Sequence, residues 1–139
     1  MTGSNQYLLL AFIAFDILVI MPLIVGAFVD GNWNPIAEKY PPVPSSQDAV
    51  QRRFQSFAVG SLSLGFCIHV AADEACLHLY PCWFARLVRA RPASIPWNKI
   101  QLSRTLGKYA IARLTELPSI KLRGPRWCLE LAPASPQSP

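Results

Sequence analysis

No lysine or arginine precedes Lys39, and the 139-residue chain carries only eight acidic side chains and two histidines. The missing N-terminal charge removes the basic region that a secretory leader places before its apolar stretch. Glycine-rich loops of the kind that cradle phosphates are absent, and the only adjacent acids, Asp73 and Glu74, read as a turn. The four cysteines, Cys67, Cys76, Cys82 and Cys128, form neither CxxC pairs nor the dense spacing of a disulfide framework. None of them lies where lipid attachment needs one. Internal repeats are missing too. These gaps remove the usual residues of phosphate-loop chemistry, carboxylate-pair catalysis and CxxC metal or redox sites.

What the chain does have is one long apolar run. Tyr7 to Val29, YLLLAFIAFDILVIMPLIVGAFV, is broken only by Asp16 and Pro22. As a helix it would extend roughly 34 Å, enough to cross the hydrocarbon core of a bilayer. Residues 7–29 are therefore predicted to form a single transmembrane helix that ties the rest of the chain to one side of a cell membrane. A cleaved leader with Val25-Gly26-Ala27 as its small-residue site is the competing reading; the length of the run and the uncharged residues before it favour an uncleaved anchor. Asp16 lies near mid-span, where an ionised carboxylate costs roughly 3 kcal/mol on insertion scales. It is expected to be protonated or to face a partner helix or a second copy of the chain, the alternative being a tolerated polar residue in a strongly apolar helix. Pro22 is expected to kink the span.

Charge is distributed unevenly beyond the run. From Gln51 onward there are twelve basic residues against four acids, Asp73, Glu74, Glu116 and Glu130. Such a surplus suits an anionic neighbour, and beside a membrane the nearest is the lipid headgroup layer. No nucleic-acid reader motif accompanies the charge, so nucleic acid is not an expected partner. Lys39 is the one basic residue in the twenty after Val29, which leans toward a cytoplasmic C-terminal domain with its cysteines as free thiols.

Residues 30–50 read as a connector. Asn34 and Pro35 suit a helix start, and Pro41-Pro42 ends the helix after Lys39. Trp33 and Tyr40 are predicted at the water–lipid interface, and Tyr40 to Gln47, YPPVPSSQ, as a stiff spacer that holds the domain off or along the bilayer. Residues 51–131 are β-rich. Strands are predicted over Phe54–Val59, Leu62–Leu64, Phe66–Val70, Cys76–Tyr80, Lys108–Leu114 and Ile120–Leu122, with Trp83 to Ala90 as a helical turn or wide loop and Arg126 to Leu131 as a short closing helix. A turn centred on Asp73-Glu74 would pair His69 with His78 and put Phe66, Ile68 and Val70 on one apolar face with Leu77 and Leu79. Residues 132–139 are predicted to be a disordered tail.

The hairpin FCIHVAADEACLHL followed by SIPWNKI resembles bacterial pleckstrin-homology-like (PH-like) domains, in which a strand pair precedes a segment of the form I-P-W-x-x-I. Ile95, Trp97 and Ile100 occupy those positions. The resemblance covers about Phe54 to Leu131 and implies a small, partly open barrel of the kind often attached to membrane helices. The layout is also similar to that of a group of small bacterial membrane proteins, a likeness that brings no activity with it.

Two sets of residues carry possible function. Trp83 and Phe84, followed by Arg86, Arg89 and Arg91, would let aromatics enter the lipid interface while arginines hold headgroup phosphates; the simpler reading is a solvated loop. In the proposed register His69 faces His78 with Cys67 and Cys76 diagonal to them, spaced for a zinc or copper ion, or for a cysteine nucleophile with a histidine base; against this stands a solvated outer face bearing two histidines by chance. The sequence thus predicts a membrane-anchored binding or scaffold module that contacts anionic lipid or a partner protein, without a cofactor. A metal-binding or thiol enzyme on the hairpin's polar face is the alternative.

Overall fold

The computed structural model describes residues 2–132, so the predicted tail lies almost wholly outside them. An N-terminal helical rod leads into a small antiparallel sheet domain. The rod comprises α1 (Thr2–Phe15), α2 (Met21–Phe28) and α3 (Asn34–Lys39), joined without a break by wide π turns at Asp16–Ile20 and Val29–Trp33. Each π turn lies just ahead of a proline, Pro22 and Pro35. Met21 N–H donates to the Asp16 carbonyl and Asn34 N–H to the Val29 carbonyl, each one residue further back than in an α-helix. The looser turns accommodate rings that lack an N–H and would otherwise end the helix. Asp30-Gly31-Asn32, expected to open the connector, is therefore helical.

Burial changes character along the rod. Every residue from Tyr7 to Ile24 is exposed. From there on, Gly26, Val29, Trp33, Ile36, Ala37 and Tyr40 are buried at helical spacing, forming one stripe against the sheet. Trp33 and Tyr40 are thus core residues, which corrects their predicted place at a lipid interface; an indole with a partner inside the protein gains more there than at a wet boundary. Trp33 Nε1 donates to the Arg91 carbonyl at 2.6 Å. The proline-rich segment is no spacer either. It runs back over the sheet, with Val43 N–H donating to Ser94 Oγ at 3.0 Å and Ser46 N–H to Asp73 Oδ2 at 3.1 Å.

Seven strands, β1 (Val50–Val59), β2 (Leu62–Ala72), β3 (Cys76–Pro81), β4 (Ala93–Pro96), β5 (Ile100–Leu106), β6 (Tyr109–Leu114) and β7 (Leu117–Pro125), form one sheet in the order β4-β3-β2-β1-β7-β6-β5. Helix α4 (Trp83–Leu87) links β3 to β4, and α5 (Arg126–Leu129) follows β7. The edge strands β4 and β5 are joined by a single 3₁₀ turn, Trp97–Lys99. If flat, the sheet would hold its edges about 29 Å apart. The steps from Pro96 to Ile100 span at most about 14 Å. The sheet must therefore roll, and it does so without its edges bonding: an open barrel. Phe57, Ile68, Val70, Leu77, Leu79, Ile95, Ile100, Leu114 and Leu122 fill it.

The β2–β3 register differs from the predicted one by two residues. Val70 faces Leu79, His69 faces Tyr80 and Ala71 faces His78. Asp73 causes the shift: its Oδ1 accepts the N–H groups of Ala75 and Cys76 at 2.9 and 2.8 Å, which makes Glu74-Ala75 the loop. A slip of two keeps each residue on its face, so Ile68, Val70, Leu77 and Leu79 remain together inside. Phe66 does not join them. It sits at an irregularity opposite Ser56, has φ +55° and is 74% exposed.

Candidate functional site

The helix α4 is a single turn whose end is fixed by a Schellman pair: Ala90 N–H donates to the Ala85 carbonyl at 3.2 Å and Arg89 N–H to that of Arg86 at 3.0 Å. The motif puts Arg89 at φ +69°, where glycine is the usual occupant. Ala85 faces the core, while Trp83, Phe84 and Leu87 point outward at 69, 59 and 70% exposure. The two rings meet edge to face, 5.9 Å between centroids. Three large apolar side chains on one exposed turn form a compact patch with charge at its border.

That border is set by the rod. The Arg89 guanidinium lies over Gly26, the last residue before the protein-facing stripe is fully established, and pairs with Asp30 at 3.1 Å. Arg91 pairs with Glu38 at 3.0 Å. Asn34, buried on the stripe, donates to the Arg89 carbonyl and accepts the Arg91 N–H. Among the described residues Arg86 has no ion-pair partner. Asp30, Asn34, Arg86, Arg89 and Arg91 line an open groove of about 530 Å³. The structure therefore assembles the predicted Trp83, Phe84, Arg86, Arg89 and Arg91 into one surface, at the point where the exposed apolar half of the rod ends. Asp16 is remote from it, exposed within the first π turn.

Leu87 was not among the predicted contact residues. Its signal was available, since Trp83, Phe84 and Leu87 stand at the i, i+1 and i+4 spacing of one helical face.

The hairpin residues are arranged otherwise. His69 Nδ1 accepts the Phe54 N–H at 3.2 Å, and its ring meets that of Phe54 edge-on. His78 is fully buried, with Nε2 2.8 Å from Asp73 Oδ2 and Nδ1 2.7 Å from Ser94 Oγ. An ionised Asp73 can only accept, so Nε2 donates to it, while Nδ1 shares a hydrogen bond with the Ser94 hydroxyl. Burial pushes the Asp73 carboxyl up. Its hydrogen bonds from Cys76, His78, Ser46 and Ala75 outweigh that and hold it well below the usual carboxylate range. The order Ser94–His78–Asp73 is that of a nucleophilic triad, yet Ser94 is 4% exposed and lies against Val43. These bonds act as a latch that fastens the proline-rich segment to the sheet. Cys76 stands opposite Pro96, and Cys82 N–H donates to the Cys67 carbonyl. His69, His78, Cys67 and Cys76 do not converge, and among the described residues no group of three His, Cys, Asp or Glu side chains is placed to hold a metal ion.

Comparison with protein-family models, with curated proteins and with solved structures finds no match to this chain.

Proposed function

We propose that this chain is a single-pass membrane protein whose sheet domain is a PH-like binding module, seated on the anionic headgroup layer through α4 and facing the cytoplasm. The observation that carries the reading is the coincidence of two boundaries. The rod stops being exposed and apolar on all sides near Val25, and at that level α4 presents Trp83, Phe84 and Leu87 beside Arg86, Arg89 and Arg91. A rod inserted up to Ile24 brings those aromatics to the interface, where amphipathic surfaces bind, and the arginines to the depth of lipid phosphates. The PH-like part of the reading is supported by the seven-strand sheet, in which two meanders, β1–β4 and β5–β7, meet through β1 and β7, by Trp97 partly buried against the core that also holds Ile95 and Ile100, and by a single helical turn after the last strand. The module needs no chemistry of its own to act as a scaffold.

Hydrogen exchange on the full chain in bilayer nanodiscs tests this. Amides of residues 83–91 should exchange more slowly in anionic than in neutral bilayers, the difference should shrink in high salt, and a Trp83→Ser, Phe84→Ser, Leu87→Ser variant should lose it. Identical exchange in both bilayers would reject the lipid contact.

We further propose that Asp16 marks the face on which the span meets a second apolar helix. An exposed carboxylate at the start of a π turn within an apolar rod needs a hydrogen-bonding partner once surrounded by lipid. Chemical crosslinking in membranes should yield an adduct that Asp16→Leu abolishes; an unchanged adduct would sink this assignment.

A further inference from the structure

Cys67 and Cys82 face each other at the end of the β2–β3 ladder. The register that sets Ile68 opposite Pro81 reaches this pair one residue further on. Cys82 N–H donates to the Cys67 carbonyl at 2.7 Å, and at the other end of the hairpin Asp73 N–H donates to the Cys76 carbonyl at 3.2 Å. Both belong to the alternate set of positions that also holds His69–Tyr80 and Ala71–His78, the hydrogen-bonded pairs of an antiparallel ladder. Such pairs hold their Cα atoms about 5.5 Å apart, inside the about 4.4–6.8 Å found across disulfides, and their Cβ atoms about 5.5 Å apart, so closure draws the two strand ends together by about 1 Å. Burial, and then the neighbouring Cys82, push the Cys67 thiol up, so its attack as a thiolate quickens with rising pH. Cys82 is 5% exposed, whereas Cys67 is half-buried, its Sγ donating to the Gly65 carbonyl at 3.1 Å.

We propose that Cys67 and Cys82 form a dithiol site for small-molecule disulfides, closing reversibly to a cross-strand disulfide. The Cys67 thiolate attacks one sulfur of the incoming disulfide; that S–S bond breaks, and one small thiolate leaves and takes up a proton. The Cys82 thiolate then attacks the Cys67 sulfur of the mixed disulfide and expels the second small thiol. Two protein thiols are oxidised, one small disulfide is reduced to two thiols, and the two protons lost by the cysteines pass to them. The remaining cysteines lack this arrangement. Cys76 pairs with a proline, and Cys128 is fully buried, its thiol pushed by burial up to about 12. The site also has a mechanical reach. Cys82 is the residue from which α4 starts, with Arg86 N–H bonded to its carbonyl at 3.0 Å, so closure ties the root of α4 covalently to β2.

The test uses the full-length, fully reduced protein in detergent micelles, exposed to glutathione disulfide, quenched in acid, alkylated and mapped by mass spectrometry. The wild type should lose two alkylatable thiols, yield a Cys67–Cys82 linked peptide, and recover both thiols in dithiothreitol. Cys82→Ser should instead retain one glutathione on Cys67, and Cys67→Ser should leave Cys82 unmodified. Four alkylatable thiols after treatment, glutathione persisting on the wild-type protein, or a linkage through Cys76 would each overturn the proposal. The wild-type map decides the matter even if a variant fails to fold.

Discussion

Arg89 holds a backbone conformation that costs an L-residue about 1 kcal/mol relative to glycine, in a motif that ordinarily uses glycine. Its ion pair with Asp30 is exposed on both sides and returns little of that cost. Arg89→Gly should therefore leave thermal stability unchanged or raise it by up to about 1 kcal/mol, while weakening the contact with anionic bilayers. Thermal unfolding and exchange in nanodiscs, measured on the same variant, separate the two effects; a variant clearly less stable than the wild type would show that the guanidinium is structural. Asp73 is the opposite case, an acid that the fold cannot spare. Losing its four hydrogen bonds should cost Asp73→Ala about 3 kcal/mol in chemical unfolding. Its native pKa lies below its unfolded one, so its contribution is complete above the ordinary carboxylate range and fades as the pH falls below about 4 toward the lower native value. The variant should lose less stability than the wild type over that acid range. The sequence shows Asp73 as a turn residue, which it is. It does not show that the same carboxylate reaches His78 and Ser46, because those contacts depend on the path of the proline-rich segment, and no local pattern encodes that path.

Among the elements, those with strong periodicity were legible. The apolar rod, the alternation of β2 and β3, the β6 strand and the short final helix all lie close to where their residues predict them. The rod's end was not legible. Asp30-Gly31-Asn32 followed by Asn34-Pro35 carries every local sign of a break, but a π turn absorbs the proline and burial of Val29, Trp33, Ile36 and Ala37 outweighs the poor helix propensity. Phe66 failed for a related reason: alternation assumes an unbroken ladder, and the irregularities in β1–β2 reset it. The docked stripe is the element on which domain and rod depend together. Trp33→Ala removes a fully buried indole and its bond to the Arg91 carbonyl, and should destabilise the domain by about 3–5 kcal/mol. Arg91→Ala, which breaks only the exposed pair with Glu38, should cost less than about 1 kcal/mol. Denaturant titration of the two variants gives the comparison, and equal losses would show that Trp33 is no anchor of the rod.

At the scale of the whole molecule, an apolar rod and a rolled sheet share a single rigid joint. Asn32 Oδ1 accepts the Ser61 N–H at 3.3 Å, and Lys39 pairs with Glu116 at 3.3 Å, so the joint reaches both the β1–β2 and the β6–β7 turns. Lys99 meets the same carboxylate at 2.7 Å. A conventional tethered module swings on a loose leash and samples every orientation above its membrane. Here the leash is replaced by a stem that continues into the core, so azimuth and pitch of the sheet are set by how the stem leans. If the rod spans a bilayer as proposed, anything that leans the stem, such as a thinner bilayer or a neighbouring helix, steers the groove beside α4 like a rudder on its post.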